Sequence, residues 1–71
     1  MNETPEERFK RLASARTNTI LKRLGTLGNC SNRQVYSYTR NDIEKIFSVI
    51  EAKLKETKAR FLFPKEERFR L

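Results

Sequence analysis

Arg8, Arg11, Asn18 and Lys22 recur at steps of three, seven and four. At about 100° per residue this spacing lines them up, together with Ala15, along one edge of a helix. Guanidinium and ammonium groups in such a row hold phosphates, and an amide such as Asn18 can reach a base edge or the backbone. The chemistry they imply is recognition of a polyanion. A merely solvated helix surface carries the same kind of row, so the row alone does not decide. A second set follows in Asn32, Arg33, Gln34, Tyr36 and Tyr38. Donors beside aromatic planes can stack on and hydrogen-bond nucleotides. The same residues suit a structural loop, with Asn29, Ser31 and Asn32 satisfying backbone groups while the tyrosines complete a core. A third set is Phe61, Leu62, Phe63, Phe69 and Leu71. It is more apolar than a free tail should be, and suits cover for this chain's own core, a second subunit or another protein. The candidate nucleic-acid contacts are thus Arg8, Arg11, Asn18, Lys22 and Arg33. The candidate partner contacts are Tyr36, Tyr38, Phe61, Phe63 and Phe69.

Catalytic constellations are nearly absent. The chain has no histidine, the usual general base at neutral pH. Cys30 is the only cysteine, so a disulfide within the chain and a cysteine-ligated zinc site are both excluded. It has no base beside it in sequence. Asp42, Glu44, Glu51 and Glu56 alternate with lysines, which is the pattern of a solvated, ion-paired face. Gly25 and Gly28 form no phosphate-binding loop. The expectation is a protein that is not an enzyme, with no cofactor, no metal and no small-molecule substrate.

Two helices must position these residues. The clearer one runs from Thr39 to Phe61. Ile43, Ile46, Phe47, Ile50, Leu54 and Phe61 fall at steps of three, four and seven and make one narrow stripe. Thr39 and Asp42 form a variant capping box, with Asp in place of Glu or Gln. Asp42 and Glu44 lie near the positive helix end, and Lys55, Lys58 and Arg60 near the negative one. The earlier helix starts at Thr4-Pro5-Glu6-Glu7, with Thr4 as N-cap, Pro5 in the first turn and Glu7 closing the box. Met1 to Glu3 are expected to fray. Gly25 and Gly28 are the candidate stops, by positive φ. Phe9, Leu12, Ala13, Ile20, Leu24 and Leu27 share its apolar face. Arg16 points into the middle of that face. Either its stem packs and its head reaches out to water, or it pairs with a carboxylate or caps loop carbonyls.

The connection from Gly28 to Thr39 is longer than a minimal helix–helix loop. Val35 and Tyr36 could form a lid over the hairpin's open end, Tyr38 could staple to the helix it precedes, and Gln34-Val35-Tyr36 could form a short β-bridge. Pro64 ends the second helical pattern, and residues 62–71 are read as a tail or a short helical turn.

Seventy-one residues make one small helical domain, and such chains often lean on association for stability. The net charge is +7, with a pI near 10. This favours DNA, RNA or an anionic membrane as partner. Residues 5–25 hold six basic and two acidic residues, net +4, whereas residues 40–61 hold six and four, net +2. No apolar run approaches the roughly 20 residues needed to span a bilayer. A charged N-terminus without an apolar leader, and a single cysteine, suit a reducing cytoplasm.

Leu27-Gly28-Asn29, Ser31-Asn32-Arg33, Tyr36 and Tyr38-Thr39, followed by the DIEKIF and ETKARF segments, resemble a group of small uncharacterised bacterial proteins. The resemblance spans roughly residues 10–61, with an LGN-x-SNR-x-x-Y-x-Y-[TS] loop between two helices. It implies the hairpin and a prokaryotic or mobile-element origin, and it brings no activity with it.

The expected fold is all-α: an antiparallel helical hairpin, with helices near residues 5–25 and 40–61, completed by homodimerisation or a larger protein partner. The expected function is that of a small basic accessory protein binding nucleic acid, DNA ahead of RNA, through the cationic helix face. The alternative is a protein–protein adaptor that presents the loop and the aromatic tail. Binding to an anionic membrane surface is a third, weaker reading of the basic amphipathic first helix.

Overall fold

A computed structural model describes residues 2–61 of the chain. Phe63 and Phe69, and with them the expected tail or helical turn, lie outside the described residues. Within them the chain is all-helical: α1 spans Pro5–Gly28, a single turn of 3-10 helix spans Asn29–Ser31, and α2 spans Arg40–Ala59. Two helices around one loop is the element order of a helical hairpin. The chain divides into two units, Met1–Ser37 and Tyr38–Leu71.

Each helix starts on the box its sequence encodes. At α1 the Glu7 N–H donates to Thr4 Oγ1 at 3.1 Å, and the Thr4 N–H donates to Glu7 Oε1 at 3.0 Å. At α2 the Asp42 N–H donates to Thr39 Oγ1 at 3.0 Å, and the Thr39 N–H donates to Asp42 Oδ2 at 2.9 Å. The shorter Asp side chain therefore closes the box as Glu does at α1. Each box satisfies two backbone donors that the helix leaves without intrahelical acceptors. Replacing Thr39 with Ala is expected to cost about 1 kcal/mol of α2 stability. Thermal melts followed by circular dichroism would register it, and a Thr39→Asp chain should lose far less.

The helix ends depart from expectation. α1 passes through Gly25 and continues to Gly28, and neither glycine has positive φ. Gly28 is right-handed helical, at φ −60° and ψ −25°. A glycine inside a helix costs only about 1 kcal/mol relative to Ala, and here apolar positions on the same face lie on either side of Gly25, at Leu24 and Leu27. The helix instead closes by tightening, as the Asn29 N–H donates to the Thr26 carbonyl. α2 stops at Ala59, before Phe61. Its last turn tightens in the same way, with Arg60 N–H bonded to Thr57 O and Phe61 N–H to Lys58 O.

The loop is a turn built on Asn32, and no strand occurs among the described residues, so the β-bridge is not formed. Asn32 Oδ1 accepts from the Gln34 N–H, while its carbonyl accepts from both the Val35 and Tyr36 N–H groups. This is the Asx-turn chemistry that suits Asn to such positions. Val35 and Tyr36 are exposed, and so do not act as a lid here. Tyr38 and Ile43 are both half-buried, at the two positions that a staple joins.

No described residue is fully buried. In α1 only Leu12, Ala13 and Leu27 are half-covered, and Phe9 is 57% exposed. In α2 Ile43 and Ile50 are half-covered, while Phe47 is 42% and Leu54 64% exposed. The stripes exist as the spacing requires, and their described residues are half-covered or exposed. A single amphipathic helix has nothing of its own to lay its apolar face against.

Candidate nucleic-acid interface

α1 is the element that aligns the candidate cations. Its 24 residues are held in register from Thr4 onward, so Arg8, Arg11, Asn18 and Lys22 share one edge. At 1.5 Å per residue, Arg8 and Lys22 lie about 21 Å apart along the axis, or about six base-pair steps of 3.4 Å. The Thr26 hydroxyl donates back to the Lys22 carbonyl at 3.1 Å, which satisfies that side chain without interrupting the helix. Arg33 stands in the Asn32 turn, within the same unit as α1.

These cations are not equivalent. Arg11 grips the Glu3 carboxylate with both arms, Nε to Oε2 at 2.7 Å and Nη2 to Oε1 at 2.8 Å. Arg8 Nε lies 3.9 Å from Glu3 Oε1, at the edge of the same carboxylate. Glu3 is therefore held, with its side chain only 33% exposed, where fraying was expected. A fork of two parallel N–H···O bonds fixes a planar carboxylate more firmly than a single contact can. These hydrogen bonds from Arg11 hold the Glu3 carboxyl below its ordinary pKa, slight desolvation opposing them, and the same contact raises that of Arg11. The sign follows from linkage. The clasp is fully present above the ordinary carboxylate pKa and is lost as the pH falls through the lowered one. Lys10 pairs with Glu6 at 3.3 Å, one helical turn away.

The rest of α1 has no such partners. Arg16, Lys22 and Arg23 form no ion pair among the described residues. Of the two roles open to Arg16, pairing with a carboxylate is therefore not seen there. The reason lies in the order of charges. Every acidic residue before Asp42 stands at or before Glu7, and the stretch from Arg8 to Asn41 holds eight basic residues and no acidic one. Only the N-terminal end of α1 can be neutralised locally. Arg33 and Tyr38 are each engaged by a neighbouring group. On α2, by contrast, acidic and basic residues are interleaved, and Lys53 pairs with Glu56 at 3.0 Å.

Four of the predicted site residues thus stand together on α1: an Arg8–Arg11 pair already occupied by Glu3, then Asn18, then a Lys22 with no ion pair among the described residues. Tyr36 and Phe61 are exposed, and Tyr38 is half-covered. Spacing missed Glu3, because it precedes the helix, beyond the extended N-cap Thr4, where helical periodicity does not apply. The acid-free stretch, in contrast, could have been counted directly. Cys30 is exposed on the short 3-10 turn. No described helix is long and apolar enough to cross a membrane. No protein-family model matches the chain, and neither the curated proteins nor the solved structures compared with it give a match.

Proposed function

We propose that this chain is a small accessory protein that binds nucleic acid through α1, DNA ahead of RNA. The observation that carries the proposal is the acid-free stretch from Arg8 to Asn41, whose cations on α1 beyond Arg11 lack carboxylate partners among the described residues. Arg8, Arg11, Lys22 and Arg33 contact phosphates, and Asn18 adds a donor between them. DNA is favoured because an α-helix about 10–12 Å across matches the roughly 12 Å major groove of a B-form duplex. The protein takes no catalytic part and needs no cofactor. It works in the cytoplasm, where a lone cysteine stays reduced. A second copy, or a larger partner, covers the apolar stripes, which supports homodimerisation as the simplest assembly.

The test is binding of labelled DNA and RNA across a salt series. Wild type should bind in low salt. Lys22→Glu should weaken binding to every sequence alike and lower the salt slope by about 1, as expected for the loss of one phosphate contact. No binding in low salt, or an affinity indifferent to charge reversal at Arg8, Arg11 and Lys22, would end the proposal.

Exposed Tyr36 and Phe61 favour a second role, as a protein adaptor using the loop and the tail. Its mark is capture of a partner that survives nuclease and depends on Phe61, Phe63 and Phe69. Loss of the partner on nuclease treatment would count against it.

A further inference from the structure

We infer that Glu3 is a built-in stand-in for phosphate: it fills the cradle made by Arg8 and Arg11 until backbone phosphates of the bound nucleic acid, one at each guanidinium, take its place. This rests on the nucleic-acid role proposed above, and names how one part of that site is kept and released.

Arg11 presents two N–H groups to two oxygens of one anion, at 2.7 and 2.8 Å, and Arg8 stands 3.9 Å from the same group. A guanidinium fork accepts carboxylate and phosphate oxygens in the same bidentate geometry. What holds Glu3 would therefore hold a phosphate.

The occupant is also free to leave. Glu3 precedes the N-cap, and the capping box is completed by Thr4 and Glu7 without it. Its departure removes no backbone hydrogen bond of α1. Arg8 and Arg11 are well exposed, and exposed ion pairs contribute little to stability. A phosphate has more behind it, since each one neutralised releases condensed counterions from the duplex. Lys22, which has no carboxylate partner among the described residues, can engage first, and the Arg8–Arg11 pair follows by exchange.

The chain also has a charge control. Glu51 lies on α2 and forms no ion pair among the described residues. Glu3→Gln and Glu51→Gln change the net charge equally, but only the first empties the cradle. The experiment titrates a short fluorescein-labelled DNA duplex with wild type, Glu3→Gln, Glu51→Gln, Arg11→Gln and the Glu3→Gln/Arg11→Gln pair, each checked for helix content by circular dichroism. Glu3→Gln should tighten binding about two- to fivefold beyond Glu51→Gln, the scale of one exposed ion pair. That gain should vanish when Arg11 is also Gln, as coupled partners require. Equal gains from Glu3→Gln and Glu51→Gln would overturn the inference while leaving nucleic-acid binding in place. A gain that persists without Arg11 would do the same. Failure of wild type and Glu3→Gln alike to bind in low salt would remove both.

Discussion

Raising monovalent salt from about 50 to about 200 mM is expected to weaken duplex binding about 10²-fold if one copy binds, and about 10⁴-fold if two bind together. The difference comes from counting cations. Arg8, Arg11, Lys22 and Arg33 are four proposed phosphate contacts on one chain. Each phosphate neutralised contributes about 0.9 to the slope of log affinity against log salt, so one copy gives about −3.6 and a symmetric pair about −7. Over a fourfold change in salt these slopes separate by two orders of magnitude. Anisotropy titrations at four salt concentrations would resolve them. A slope shallower than about −1 would mean that the α1 row does not meet the backbone, whatever the affinity in low salt. The slope is thus a count of contacts as well as a test of binding.

The parts of this structure that depend on near neighbours were legible in the sequence. Both capping boxes could be read from a threonine and an acid three residues on, and both are formed. The apolar stripes also follow from spacing alone. The glycine stops misled, because glycine permits positive φ without requiring it. Gly25 lies between two apolar positions that keep the helix going, and the chain stays helical through it. Glu3 was illegible for the opposite reason. Its partner Arg11 is eight residues away, across the extended N-cap Thr4, and no helical spacing connects them. Charge sign was legible, but charge availability was not. Arg8 and Lys22 look alike in a row of basic residues, yet among the described residues one stands beside a carboxylate and the other does not. What covers the stripes was also out of reach, since an apolar face records that it needs a partner without recording which.

Phe47→Ala is expected to be the most damaging single change in α2, and to act through assembly. Phe47 lies in the middle of the Ile43–Leu54 stripe and is 42% exposed in the single chain. If the chain stayed single, truncation there would remove only the partial contacts Phe47 already has. If a second copy covers the stripe, the same truncation opens a cavity in a packed interface, at a cost of about 3–5 kcal/mol. Val49 is the control. It is 68% exposed and lies outside the stripe, so Val49→Ala should stay within about 0.5 kcal/mol. Urea unfolding at two protein concentrations distinguishes the cases. In an assembled protein the wild-type midpoint rises with concentration, because mass action favours the associated folded state. Phe47→Ala should lower that midpoint steeply, and sedimentation should show the complex dissociating. A midpoint independent of concentration, with Phe47→Ala no worse than Val49→Ala, would mean that the helices stand on their caps and local ion pairs and that the stripe awaits a different protein. The two experiments bear on each other. Association through the stripe doubles the cations offered to a duplex, so Phe47→Ala should also pull the salt slope from about −7 towards −3.6 without touching a basic residue.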